Sequence, residues 1–340
     1  MSAAPVLRVD DLHVSFSTPG GIVEAVNGVS FEIDAGRTLG IVGESGSGKS
    51  VTAASIMGLS AAAGGAVSGS IEVAGTQVLG ANDAVLRSLR GREMAMVFQD
   101  PMSALNPYYT VGTQIAEAYA VHHPSASKKE RREVAMGLME KVGIPNPTRR
   151  IDEYPHQFSG GMRQRIVIAI ALTNNPKLLI ADEPTTALDV TVQAQILDLM
   201  RSLQDEYGSA IVLITHDLGV VAEMADEVAV MYAGRVVERA SCADLFANPT
   251  HPYTLGLMGA VRSLDGAHRG QLRTVPGTPP SLIDLPPGCA FRPRCEFALD
   301  GSSACASTVP SLRRVGSGAS QSACHLPDTA LVELGARRLA

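Results

Sequence analysis

Apolar residues are distributed along this chain in two different ways. Four short runs are apolar almost without interruption: Thr38 to Val42, Met94 to Phe98, Leu178 to Ala181 and Ala210 to Thr215. Runs of this length, rich in β-branched residues or methionine, predict strands buried on both faces. Each leads into a chemically loaded position: Gly43 onward, Gln99, Asp182 with Glu183, and His216. Helical patterns lie between several of them, for example Gln193 to Leu203, and this alternation predicts a mostly parallel α/β sheet. Ligands of such sheets sit beyond the carboxyl ends of the strands, so the four loaded ends mark one candidate site.

The second pattern is alternation. Leu7 to Ser17 and Ala25 to Ile33 switch between apolar and polar residues around a Thr18-Pro19-Gly20-Gly21 turn, which predicts an N-terminal antiparallel β-subdomain. From about Ile115 to Leu172 the pattern is mostly helical, with Pro124, Pro145, Pro147 and Pro155 as breaks. After Pro249 the composition shifts. The stretch Pro276 to Pro293 is rich in proline and glycine, and periodicity fades into a small C-terminal extension. The expected division is a core over residues 1–245, with a helical subdomain near 100–175, and an extension over 246–340. No motif recurs, which argues against a tandem repeat.

Composition narrows the function classes. A length of 340 residues suggests roughly two domains. With 45% hydrophobic and 18% charged residues, the chain is not disordered throughout. Lys+Arg is 28 against Asp+Glu 34, a net charge of -6, which argues against a strongly basic nucleic-acid binder. The apolar runs fall far short of the ~18 residues a spanning helix needs. Met1 to Val9 lacks a charged segment followed by an apolar one, so the chain is expected in the cytoplasm, reaching a membrane through a partner.

Three segments carry chemistry. Gly43-Glu44-Ser45-Gly46-Ser47-Gly48-Lys49-Ser50 fits G-x-x-x-x-G-K-[ST], follows a predicted strand and opens a predicted helix that continues through Val51. Its glycines let backbone amides turn toward phosphate oxygens, Lys49 places a charge at the β/γ-phosphates, and the Ser50 hydroxyl is a Mg²⁺ ligand. The strand Leu178 to Ala181 runs into Asp182, suited to Mg²⁺, and Glu183, suited to orient or deprotonate an attacking water. Finally, Ser159-Gly160-Gly161-Met162 precedes the apolar helix Ile166 to Leu172, with Ser159 as N-cap and the glycines admitting a phosphate to the helix N-terminus.

The phosphate loop, Ser-Gly-Gly segment and Asp-Glu strand, in that order, resemble the nucleotide-binding subunit of an ABC transporter, over about Leu7 to Arg239. In that resemblance Gln99 matches the Q-loop, Thr186-Ala187-Leu188-Asp189 the D-loop and His216 the switch histidine; Phe16 stands where an aromatic stacks on adenine. The fold implied is a P-loop, RecA-like ABC ATPase core. Tyr154 to Arg165, Gln99 to Pro107 and the segment from His251-Pro252-Tyr253-Thr254 resemble the ATP-binding subunits of oligopeptide and dipeptide importers. Arg262 stands where that subfamily has a proline. The resemblance implies ATP and Mg²⁺ as ligands, with Ser50, Gln99 and Asp182 around the metal, Glu183 as catalytic carboxylate, and Lys49, Gln99 and His216 assisting. It assigns Ser159, Gly160, Gly161 and Met162 to ATP held by a second ABC subunit. The implied assembly has two ATPase subunits forming a heterodimer, two transmembrane permease subunits and an extracytoplasmic peptide-binding protein, with this chain peripheral at the cytoplasmic face of the inner membrane. Residues from Asp100 to Gln114, with Tyr108 and Tyr109 as anchors, are expected to dock a permease. Other readings are an importer ATPase for nickel or a glycan, and a soluble ABC ATPase of translation or DNA repair.

Five cysteines are present; Cys242 stands alone, while Cys289, Cys295, Cys305 and Cys324 are separated by five, nine and eighteen residues. No C-x-x-C pair occurs among them, so the common zinc spacing is missing. Four thiolates can hold a 4Fe–4S cluster. The resemblance to peptide-importer extensions implies one at these positions, while zinc (with His325 replacing a ligand) and free thiols are the other readings. A redox-sensing role for the cysteine region is a further one.

Overall fold

The computed structural model describes residues 4–186, 188–262, 275–298 and 303–337. The strands are β1 (Leu7–Thr18), β2 (Gly21–Ile33), β3 (Thr38–Val42), β4 (Ala66–Val73), β5 (Thr76–Gln77), β6 (Met94–Val97), β7 (Leu178–Asp182), β8 (Ala210–Thr215), β9 (Glu227–Tyr232), β10 (Arg235–Ser241), β11 (Arg313–Arg314) and β12 (Gln321–Ser322). They form two sheets. The first is antiparallel with order β2-β1-β4-β5; the second has order β11-β12-β10-β9-β3-β8-β7-β6.

The center of the large sheet is parallel, from β9 through β3, β8 and β7 to β6. Every residue of β3, β7 and β8 is buried, which is why these strands read as unbroken apolar runs. Their register brings the carboxyl ends level: Val42 pairs with Thr215, Asp182 with Ile214, and Val97 with Ala181. The four loaded positions therefore share one edge. β10 and the short β12 extend the sheet antiparallel, so the C-terminal segment is built into it rather than appended.

Helices cover the sheet. Those used below are α1 (Lys49–Ile56), α2 (Gly160–Leu172), α3 (Val190–Tyr207) and α4 (Pro252–Arg262). Between β6 and α2 the chain is helical, with Val111–His122 and Lys128–Lys141 as the long pieces, and Pro124, Pro147 and Pro155 stand outside or at the start of elements as expected. Leu105, Ile115, Met139, Ile151, Phe158 and Ile166 bind this helical part to α3 and β7 as one apolar core. A second core joins the antiparallel sheet, through Leu7, Phe31 and Ile71, to Ile41, Ile56 and Ile180. A third lies under the extension, where Phe291 packs edge-on against Tyr232 at 5.2 Å and Tyr253 at 5.4 Å.

Candidate nucleotide site

The phosphate loop leaves β3 at Gly43 and enters α1 at Lys49. Gly43 has φ +156° and a Cβ there would lie 2.2 Å from the Met231 carbonyl; Gly48 has φ +102° and its Cβ would meet the Ala25 carbonyl at 2.3 Å. Both positions admit only glycine because backbone from β2 and β9 closes on the loop. Lys49 is buried, and its Nζ donates to the carbonyls of Gly43 at 2.8 Å and Glu44 at 2.9 Å. Burial lowers its pKa, against the opposing pull of Glu183, Asp182 and Glu44. The Ser47 hydroxyl is buried with no partner.

Across the strand ends, Ser50 Oγ donates to Asp182 Oδ1 at 3.2 Å. Burial raises the Asp182 pKa, only partly countered by that hydrogen bond and by Lys49. A buried carboxylate with a hydroxyl beside it is a donor set that suits a hard, oxygen-seeking cation. Glu183 begins the turn after β7 with φ +49°, a left-handed conformation unusual for glutamate, fixed by its amide donating to Ile214 O at 2.8 Å. Three groups surround its carboxylate. Gln99 Nε2 donates to Oε2 at 2.8 Å, Thr186 Oγ1 donates to the same oxygen at 2.9 Å, and His216 Nδ1 lies 3.2 Å from Oε1. Burial works to raise the Glu183 pKa, but the hydrogen bonds from Thr186 and His216 and the charges of His216 and Lys49 outweigh it and hold it low. The site thus keeps an ionised carboxylate beside a half-open strand edge. Gln99, expected among the Mg²⁺ ligands, here donates to Glu183.

The Ser-Gly-Gly segment is placed elsewhere. Ser159 caps α2, accepting from the Met162 amide at 3.4 Å, and Ser159 and Gly160 are exposed. A Cβ on Gly161 would sit 2.5 Å from Val192, so α3 packs against this turn. Asp189 of the D-loop-like segment caps α3 through the Val192 amide at 3.0 Å; Ala187 lies outside the described residues. Phe16 on β1 is half-buried and lies against Gly65. Tyr108 and Tyr109 are exposed, 86% and 54%, rather than packed inside the helical part.

Sequence reading missed what holds Glu44. Its carboxylate is paired in a two-pronged contact with Arg294 of the extension, and its amide donates to Tyr253 Oη at 2.9 Å. The signal in the sequence was Tyr253, within the segment noted for its resemblance; Arg294, next to Cys295, stood unmarked.

The cysteines converge. Cys289, Cys295, Cys305 and Cys324 line one cavity of about 20 Å³ together with His251, Phe291 and Phe297, and none of them is in a disulfide. Burial raises the pKa of Cys289 and Cys324 and pushes Cys295 up to about 12. Among the described residues no three or more His, Cys, Asp or Glu side chains stand arranged as a formed metal center.

Comparison with known proteins gives this geometry its family. The model described as "ABC transporter" matches residues 26–186, and "Oligopeptide/dipeptide transporter, C-terminal region" matches residues 237–301. The oligopeptide transport ATP-binding protein OppD of Haemophilus influenzae is 51% identical over 296 residues, covering 87% of this chain and 91% of that protein. The chain belongs to the ATP-binding subunits of oligopeptide and dipeptide ABC transporters. The dipeptide transport ATP-binding protein DppD of Bacillus subtilis is 53% identical over 291 residues, covering 85% of this chain and 86% of that protein. OppD of Mycobacterium tuberculosis is 53% identical over 297 residues, but this chain spans only about half of it, 48%. Among solved structures, the dimeric bacterial ABC transporter cassette MJ0796 superposes with a TM-score of 0.63 at 27% identity, covering 69% of this chain and 98% of that one. The ABC ATPase fold expected from the motifs is therefore the fold observed. No described helix is long and apolar enough to cross a membrane.

Proposed function

We propose that this chain binds and hydrolyses ATP to energise import of di- or oligopeptides through an ABC transporter. The observation that carries the proposal is the Glu183 carboxylate, held ionised by Thr186 and His216 and oriented by Gln99, next to Lys49 and the Ser50–Asp182 pair. Lys49 and the loop amides from Ser45 through Val51 would hold the triphosphate, and Lys49 would exchange its two loop carbonyls for phosphate oxygens. Ser50 and Asp182 would hold Mg²⁺, which supplies charge neutralisation at the β- and γ-oxygens when bound. Glu183 then orients and deprotonates the attacking water, while His216 and Gln99 fix its geometry. Phe16 offers a face to the adenine.

Ser159 and Gly160 are exposed at a helix N-terminus, with Gly161 and Met162 partly buried behind them, which fits contact of this turn with ATP held by a second ABC subunit. Two permeases and an extracytoplasmic binding protein complete the proposed assembly, with this chain at the cytoplasmic face of the inner membrane. Exposed Tyr108 and Tyr109 are the proposed permease anchors. The four cysteines are proposed to hold a 4Fe–4S cluster, because four thiols around one cavity supply its donor set and a metal would offset their burial by taking them as thiolates. Iron and acid-labile sulfide in stoichiometric amounts after anaerobic purification would support this; zinc alone, or neither, would refute it.

The main test is uptake. Cells carrying Glu183→Gln should lose ATP-driven uptake of labelled peptides while the chain still assembles with its permeases. Undiminished peptide uptake would refute the assignment, and retained dependence on this chain for nickel or a glycan alone would redirect it.

A further inference from the structure

A glutamate in a phosphate-binding loop places negative charge beside the anion the loop must bind, and Glu44 is such a residue. Its carboxylate lies 2.6 Å and 2.9 Å from the two terminal nitrogens of Arg294, 250 positions along the chain. The Arg294 side chain is only 5% exposed, and its Nε donates to Pro276 O at 2.8 Å, so it cannot swing to another partner without breaking the extension's own packing. Tyr253 at the start of α4 is fully buried and accepts the Glu44 amide at 2.9 Å. On its other side the Glu44 carbonyl accepts from Lys49 Nζ at 2.9 Å and from the Ser47 amide at 3.2 Å. The extension therefore grips one residue of the loop by both side chain and backbone, and Lys49 takes the remaining group.

We propose that Arg294, with Tyr253, is a positioning residue for the nucleotide: it cancels the charge of Glu44 and fixes the loop backbone so that Lys49 and the loop amides face phosphate. Neither residue needs to touch ATP. The two-pronged geometry is one that lysine cannot reproduce, since a guanidinium presents parallel donors and an ammonium does not. Losing Arg294 leaves Glu44 as an uncompensated anion at the mouth of an anion site, so the effect falls on nucleotide affinity more than on turnover. The extension thereby becomes part of the ATPase site rather than a separate appendage.

The inference rests on the ATP reading above, and the test separates the two. Mg-ATP binding to the full-length chain is measured by equilibrium dialysis for wild type, Arg294→Gln, Arg294→Lys, Glu44→Gln and the Arg294→Gln/Glu44→Gln pair. Arg294→Gln should weaken ATP about tenfold, the change that ~1.4 kcal/mol produces. Arg294→Lys should recover part of that loss. The double variant should bind no worse than Arg294→Gln, and better if charge is the main effect, because the two residues act through one contact. Tyr253→Phe removes only the hydroxyl and should weaken ATP about threefold with the fold intact, which keeps the test available if Arg294→Gln does not fold. In the assembled transporter the KM for ATP should rise with kcat nearly unchanged. Wild-type affinity in Arg294→Gln, or in Tyr253→Phe where Arg294→Gln is unfolded, overturns this inference alone; a double variant with additive losses does the same. A wild-type chain that fails to bind Mg-ATP overturns the ATP reading and this inference together.

Discussion

The strand-end site and the C-terminal extension treat polar groups in opposite ways. At the strand ends, charged groups line an open edge or keep exchangeable contacts: His216 is 62% exposed on its side chain, the Glu183 carboxylate faces the same edge, and the buried Lys49 donates to carbonyls of its own loop. Where β10 meets the extension they are closed in. Glu238 is fully buried and accepts from the Thr250 amide at 2.6 Å, the Thr250 hydroxyl at 2.8 Å and the His251 amide at 2.9 Å. His251, Tyr253 and Phe291 are likewise almost without exposure. The first arrangement keeps hydrogen-bonding capacity in reserve for a substrate, and the second spends it on holding a segment that has little regular structure. What a residue's polar group faces here thus tells where its loss should appear: Lys49 and Glu183 face the strand-end site, whereas Glu238 serves the packing of the chain around Thr250 and His251.

That contrast is sharpest at Glu183. Glu183→Gln removes the base but keeps the shape and the contacts of Gln99 and Thr186. ATP hydrolysis should fall about 10³-fold, within the range expected for a lost general base. The melting temperature should change little, because glutamine keeps the shape, the left-handed backbone and the Gln99 and Thr186 contacts, and the charge lost is paired with the largely exposed His216. A variant with near-normal hydrolysis would break the comparison, and so would one that unfolds.

Phe291 is the counterpart. It is 4% exposed and meets Tyr232 and Tyr253 edge-on, with His251 at 5.9 Å between ring centers. Phe291→Ala opens a cavity in the third core and should cost about 3–5 kcal/mol, read as a lower unfolding midpoint and early proteolysis within the extension. Through Arg294, three residues on, ATP affinity should fall only as far as the extension loosens. A chain that loses hydrolysis with no change in its unfolding midpoint would place Phe291 on the wrong side of the contrast.

These two regions were also unequally legible. β3 and β8 occupy the apolar runs read from sequence, Thr38–Val42 and Ala210–Thr215; β6 ends one residue early and β7 continues one residue further, through Asp182. Strands buried on both faces announce themselves, and the residue after each buried run is where a parallel sheet puts its chemistry. α3 was visible only in its amphipathic middle, Gln193 to Leu203. Its true ends are set by the Asp189 side chain, which caps the Val192 amide, and by Gly208 at φ +66°, neither of which is periodic. The extension resisted for a different reason. β11 and β12 are two residues each and have no period to detect, and they exist because β10 offers an edge at Glu238 and Arg239. The Arg294–Glu44 pair spans 250 residues, and nothing local to either side chain signals the other. Convergence of the four cysteines on one cavity is likewise a property of the loops that carry them, not of their spacing.

The smallest effect tests whether the closed region is closed to protons. Burial lowers the His251 pKa from 6.5 to about 4, and its Nδ1 already accepts the Tyr253 amide at 3.1 Å, so the folded chain holds this imidazole neutral. The unfolded chain binds a proton near pH 6.5 that the folded chain refuses until about pH 4. Stability from this group is therefore complete above pH 6.5, falls as the pH drops through the window between those values, and levels off below it. The loss amounts to about 3 kcal/mol at most. Glu238 works in the other direction: burial raises its folded pKa, so its contribution is present at low pH and declines as the pH rises through that raised value. The two are separated by comparing unfolding free energies of wild type and His251→Asn between pH 4 and 7. The difference between the curves should shrink steadily toward acid, because only the wild type has a histidine to protonate on unfolding. Parallel curves would mean that water or a proton reaches His251 in the folded state, and the extension would then share the openness of the strand-end site.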